Sequence, residues 1–310
     1  MLLALADDLI MRVLPPIVVK TSRPATLTLP KGFVLAPGRL SAIVIAVCLT
    51  IAGLLIGNAQ PAEAPRKVAV VSFGLFGDQD VFQNEATGAA QVVAGRFAAN
   101  PVVVQFNTKK GGAATIDGLD TTLQATAEKL NRDRDLLFLI LTSHGSWNKG
   151  LMVLAGRVRQ MLPPWALGAM LDRTGIRHKA IIISACYSGS FIPRLAGPDV
   201  MVVTAADADH PSFGCQDGAK WTYFGDAFFN IALRRADNLR GAFDQARVLV
   251  KERELRDGFD PSNPQMAGGE SLEPLLVAHQ LRKAEITKSK VNQLHREDRA
   301  IRQEERTMSK

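Results

Sequence analysis

The sequence predicts an α/β domain built on a mostly parallel sheet with helices on both faces. Three observations predict it. Five short apolar runs rich in Val, Ile and Leu lie between residues 67 and 205. Segments suited to helices separate or follow them, and Gly, Asn and Pro clusters mark the joins. Runs that are apolar at nearly every position suit strands buried on both sides, and strand–helix alternation is the pattern of parallel sheets.

Lys67–Phe73 (KVAVVSF) reads as the first buried strand. Residues 83–98 suit a helix. Val102–Phe106 is the second strand, bounded by Asn100-Pro101 and Gly111-Gly112. Residues 121–132 read as a helix, and Leu136–Thr142 (LLFLILT) is the most apolar strand of the chain. Gly150–Gly156 suits one arm of a small hairpin. Pro163-Pro164 open a helix that ends near Gly175, since Pro is tolerated in a first turn and Gly at a helix end. Ala180–Ala185 (AIIISA) and Val200–Ala205 (VMVVTA) are the fourth and fifth strands. Helices follow at about 220–235 and 241–257. Residues 258–270, rich in Gly, Pro and Asn, are expected to end the domain. The charged segment 280–310 reads as a solvated helix or tail. The expected organisation is an N-terminal extension over 1–39, a signal or anchor segment over 40–59, the α/β domain over 65–260, and a linker with a charged tail over 261–310.

Of the 310 residues, 47% are hydrophobic and 22% charged, which permits a sizeable core and excludes global disorder. Three cysteines exclude a disulfide-built scaffold. The net charge of +7 sits on the ends: residues 1–67 carry seven basic and three acidic side chains, and residues 282–310 carry nine and five. A nucleic-acid-binding domain concentrates its basic patch on the folded body, so nucleic acid is not an expected partner.

Residues 40–57 (LSAIVIAVCLTIAGLLIG) are uncharged, apolar and about long enough to cross a bilayer. Arg39 precedes them, with Lys20, Arg23 and Lys31 further upstream, as on a cytoplasmic flank. A signal peptide cut near Ala59 and an uncleaved anchor both fit, and a buried core helix is the third reading. The first two imply a domain outside the cytoplasm, in the periplasm or tethered to the membrane through 40–57. Cys48 follows the bulky Val47 and does not suit lipid attachment.

In open parallel sheets, function collects at the carboxyl ends of the strands. Ser143-His144-Gly145-Ser146 follows the Leu136–Thr142 run, and Cys186-Tyr187-Ser188-Gly189-Ser190 follows Ala180–Ala185. A His and a Cys therefore leave the same sheet edge. An imidazole there can take the thiol proton and later donate to a leaving amine. Gly145 and Gly189 give a substrate backbone room to approach. The N–H groups of Gly145 and Cys186 suit an oxyanion. No metal or organic cofactor is required.

The stretches TSHGS and ISACYSGSF resemble the catalytic motifs of the legumain family of cysteine peptidases, within the caspase-like clan. His144 and Cys186 fall on the catalytic positions. Val68–Phe73 with the loop to Asp80, Thr204-Ala205-Ala206 through Ser212-Phe213-Gly214-Cys215, and Tyr223-Phe224-Gly225-Asp226 resemble three further family stretches, in order over residues 66–235. The resemblance implies a caspase-like three-layer sandwich, a protein or peptide substrate, and a cysteine endopeptidase working through a thioester. It also admits a transamidase with the same dyad. Asp80 falls near the position of the family's His-orienting residue. Ser212, Tyr187, Gln83 and Asp226 fall on or near its substrate pocket.

The departures are specific. An Arg-His pair that reads the substrate side chain in legumains is replaced here within Val81-Phe82-Gln83-Asn84, which has no cation. Tyr187 stands where an acidic residue commonly follows the nucleophile. A non-catalytic, peptidase-like binding module is therefore the rival reading. Asp207, Asp209 and His210 follow the fifth strand on the active edge and read as a pocket rim or a solvated loop rather than metal ligands. His178 precedes a strand and belongs at the opposite edge. Cys215 could form a silencing disulfide with Cys186. Trp147 and Trp165 could shape a substrate cleft, with core or rim packing the default reading for both.

Overall fold

The structure is a computed structural model that describes residues 65–308. The signal, anchor and extension readings of residues 1–64 lie outside the described residues. Among the described residues no helix is long and apolar enough to cross a membrane.

The chain begins with β1 (Val68–Gly74), α1 (Asp80–Phe97), β2 (Val102–Thr108) and β3 (Gly111–Gly112). Next come α2 (Ile116–Ala127), β4 (Leu136–Thr142), β5 (Gly145–Ser146), β6 (Gly150–Ala155) and β7 (Val158–Leu162). Then follow α3 (Pro164–Thr174), β8 (His178–Ser184), a 3-10 turn over Ser188–Phe191, α4 (Ile192–Leu195) and β9 (Val200–Thr204). The last part holds α5 (Tyr223–Gly225) running into a π-helical Asp226–Ala232, then α6 (Leu239–Arg256), β10 (Gln265–Ala267) and α7 (Leu272–Met308).

Seven strands form the main sheet in the order β10-β9-β8-β4-β1-β2-β3. The inner five are parallel, and the short β3 and β10 join antiparallel at the two edges. Alternate residues of β1, β4, β8 and β9 enter two separate cores. Val68, Val70, Phe138, Ile140 and Ile182 pack beneath α1, the π-helical segment, α6 and the start of α7. Val71, Phe73, Leu139, Leu141 and Ile183 pack against α2, α3 and the β6–β7 hairpin. Both faces of the sheet are dry over β1 and β4, which is why these strands read as unbroken apolar runs, whereas β2 is only partly covered and Val102 is 41% exposed. The result is three layers.

Where the structure differs from the sequence reading, local contacts explain it. The second helix begins at Ile116, because the Thr115 hydroxyl caps it by accepting from the Gly118 N–H at 3.0 Å. The expected helix at 220–235 is mostly a π-helix, started by Thr222 Oγ1 accepting from Gly225 N at 2.9 Å. The α/β domain does not end near residue 260. β10 extends the sheet beside β9, and Leu272 and Leu276 of α7 enter the first core. From 284 to 299 every side chain of α7 is exposed, as the charged composition implies.

Candidate active site

Strand order places the site. The chain runs outward from β1 through β2 on one side and from β4 through β8 and β9 on the other, so the order reverses between β1 and β4. The crevice at the carboxyl edge beside such a reversal is the natural binding place. β4 and β8 are neighbours in register, with Thr142 opposite Ser184. His144 and Cys186 each follow two residues later. Ser143 N continues the ladder by donating to Ser184 O at 3.1 Å. Gly145 then passes so close to the Cys186 loop that a Cβ would lie 1.8 Å from Cys186 O. Only Gly fits there.

The His144 imidazole is held on three sides. The rings of Phe76 and Phe82 meet it edge-to-face, with centroids 4.6 and 4.9 Å away. Its Nε2 is hydrogen-bonded to Gln79 Oε1. The Gln79 amide is itself oriented, because its Nε2 donates to Cys215 O at 2.7 Å. Its oxygen can then only accept, so His144 Nε2 carries the proton and donates. Nδ1 is left as the basic nitrogen. Burial lowers the imidazole pKa and favours this neutral form.

The Cys186 thiol is bonded to Ser212. It donates to Ser212 O at 3.4 Å and accepts from Ser212 N at 3.3 Å and from Ser212 Oγ at 3.7 Å. Among the described residues no hydrogen bond joins the His144 ring to Cys186 Sγ. Tyr187 adopts a left-handed backbone, φ 56°, uncommon for a bulky side chain, and its N–H donates to His210 O at 2.9 Å. This sharp turn starts the 3-10 helix. Gly145 faces Leu151 as a non-hydrogen-bonded pair, since Met152 N donates to His144 O at 2.9 Å. The Gly145 N–H therefore points away from the hairpin.

Both Cys186 and Cys215 are free thiols. Burial, with Cys186 and Glu85 nearby, pushes the Cys215 thiol up to about 12. Cys215 is thus held as the protonated thiol, although both cysteines are partly exposed.

A family model now adds to this geometry. The Peptidase C13 family model matches residues 93–272, more than half of the chain and including His144 and Cys186. The chain belongs to the peptidase C13 family. No curated protein matches it. Among solved structures this C13 chain is similar to the crystal structure of caspase-1 from Spodoptera frugiperda, with 17% identity, 66% of this chain and 87% of that one covered, and a TM-score of 0.46. Membership supports a hydrolase of the peptidase class with protein or peptide substrates.

The other expected residues of this C13 chain divide into those the fold gathers and those it does not. Asp80 is a correction. It is the exposed first residue of α1, its own N–H accepted by Asp217 Oδ1 at 3.2 Å, and the residue on the His144 ring is the preceding Gln79. The N-cap position, not the first helical one, faces the imidazole. Ser212 is on the sulfur, as above. Gln83 is half-buried on α1, and among the described residues no hydrogen bond joins it to Cys186. Asp226 accepts from Asn230 Nδ2 at 2.9 Å and meets Arg253 Nη1 of α6 at 3.5 Å. Arg253 also lies over the Tyr223 ring, 3.9 Å from its centroid.

Asp207 binds His210 Nδ1 at 2.7 Å, the N–H groups of Asp209 and His210, and Asn263, so it braces its own loop. His178 lies buried at the amino edge beside Asp199, away from the site. Trp147 and Trp165 are 58% and 70% exposed, which corrects the core reading for both. Gln79 was missed because an amide just before a helix carries no catalytic signature. Glu85 was missed because a single acidic residue in a helix ordinarily faces water.

Proposed function

We propose that this chain is a cysteine-type endopeptidase using Cys186 and His144. The observation that carries the reading is the Gln79 amide, whose two hydrogen bonds fix the imidazole with Nδ1 free as a base at the edge where Cys186 emerges. Cys186 Sγ attacks the scissile carbonyl carbon while its proton passes to His144 Nδ1. The resulting oxyanion is held by the N–H groups of Gly145 and Cys186. Collapse breaks the C–N bond, and the imidazolium returns its proton to the leaving amine. Water, deprotonated by the same nitrogen, opens the thioester and regenerates the thiol. An added amine in place of water gives the transamidase outcome, and product analysis with and without the amine separates the two. We place the domain outside the cytoplasm, on the strength of the apolar run 40–57; cell fractionation tests this.

Iodoacetamide labelling at pH 6, with sites assigned by mass spectrometry, tests the chemistry. Cys186 should label fast and Cys215 hardly at all, and His144→Ala should remove the difference. Equally slow labelling of both cysteines in the wild type sinks the peptidase reading in favour of a binding module.

A further inference from the structure

Glu85 of α1 is fully buried, an unusual position for a carboxyl among apolar side chains. Its Oε1 accepts from Thr142 Oγ1 at 2.9 Å. Its Oε2 accepts from Thr222 N at 2.8 Å. Ser184 Oγ pairs with Thr222 Oγ1 at 3.1 Å, next to the Thr222 N–H that the carboxyl holds. Gly225 makes room for this cluster, since a Cβ there would lie 1.9 Å from Glu85 Oε2.

Each partner is the stem of a different part of the site. Thr142 and Ser184 are the paired last residues of β4 and β8, each two positions before His144 and Cys186. Thr222 opens the turn bearing Tyr223 and Asp226. Tyr223 N is bonded in turn to Phe213 O at 3.0 Å, next to the Ser212 that holds the sulfur. Glu85 also shares a helix with the Gln79 cap that holds His144. A residue selected for packing alone would be apolar here, since a buried carboxyl costs free energy unless its partners repay it.

We propose that Glu85 is a positioning residue that sets the spacing of the His144 loop, the Cys186 loop and the Ser212 wall, holding Thr142 and Thr222 with one carboxyl and Ser184 through the Thr222 hydroxyl. Its catalytic consequence rests on the peptidase reading above; its effect on the loops does not.

The test uses the full chain as wild type, Glu85→Gln, Glu85→Ala and Thr142→Val. Gln preserves an acceptor for the Thr222 N–H and offers its NH2 group to Thr142 Oγ1, so it is the rescuing variant. Thr142→Val removes one arm with little change of shape and guards against a Glu85→Ala protein that fails to fold. Hydrogen–deuterium exchange is read in segments 142–147 and 184–190, together with peptide turnover. Exchange should quicken in both segments in Glu85→Ala and Thr142→Val. In Glu85→Ala, kcat should fall about 100-fold, the scale of an ångström-level misplacement. KM should stay within about threefold and Glu85→Gln should keep kcat within about tenfold, the split expected when geometry rather than binding is lost. Wild-type exchange in both segments of the variants, with only a lower melting temperature, overturns the proposal. A wild type without a fast-labelling Cys186 overturns the peptidase reading instead, and the exchange result still decides the role of Glu85.

Discussion

Gly145 lies against the carbonyl of Cys186, so that a Cβ on the first would stand 1.8 Å from the oxygen of the second. The loop carrying His144 and the loop carrying Cys186 are packed backbone on backbone. Gly145→Ala must push them apart. Overpacking of this kind costs roughly 1–3 kcal/mol of stability. We expect a lower melting temperature and, at temperatures where the variant is still folded, loss of selective Cys186 labelling. A variant that labels and melts like wild type would falsify the close approach.

Gln79→Ala removes the only hydrogen-bond partner recorded for the His144 ring among the described residues. The imidazole is then free to take the other tautomer or turn. Turnover should drop about 100-fold, as for a misplaced catalytic group, with folding retained. Gln79→Glu tests the electrostatics. In the wild type, burial holds the His144 pKa below its ordinary value. Activity that needs neutral imidazole rises with pH through that lowered pKa, so the acid limb of kcat/KM lies below about pH 6.5. A carboxylate on Nε2 favours the imidazolium and should move the limb to higher pH. An unmoved limb excludes Gln79 as the ring's partner.

Glu85 also sets a stability slope. Burial raises its pKa in the folded chain. Below the ordinary carboxyl pKa it is neutral in both states and its contribution is complete. As pH rises from there the unfolded chain ionises first, and stability is lost until pH passes the raised folded value. Urea midpoints of wild type should fall across that window more steeply than those of Glu85→Gln, which has no proton to lose. Parallel curves for the two proteins contradict the buried carboxyl.

The C-terminal helix should divide sharply in importance. Leu276 is 2% exposed, and its replacement by Ala should cost about 2–5 kcal/mol. A chain ending at Ala284 loses only residues whose described side chains are solvated, so its unfolding free energy should stay within about 0.5 kcal/mol of the full chain. Denaturant melts of the two proteins measure both values. Equal losses would mean that α7 acts as one unit.

Much of this protein is written in short stretches of sequence. β1 and β4 are buried at every position because each is covered on both faces, and that property is local, so Leu136–Thr142 shows itself residue for residue. His144 and Cys186 were legible for the same reason, since a residue just past a buried strand must appear at the sheet's carboxyl edge. What depends on distant partners was not legible. Whether Gln79 or Asp80 faces the imidazole turns on one position at the start of α1, and both are ordinary loop or helix residues by type. Gln265–Ala267 is a strand only because β9 leaves an open edge. Leu272 and Leu276 look like the start of a charged tail until the core receives them. Glu85 is the sharpest case. Its burial is made by Thr142, Thr222 and the missing side chain of Gly225, far away in the chain, and a carboxyl's environment is a property of what surrounds it in space.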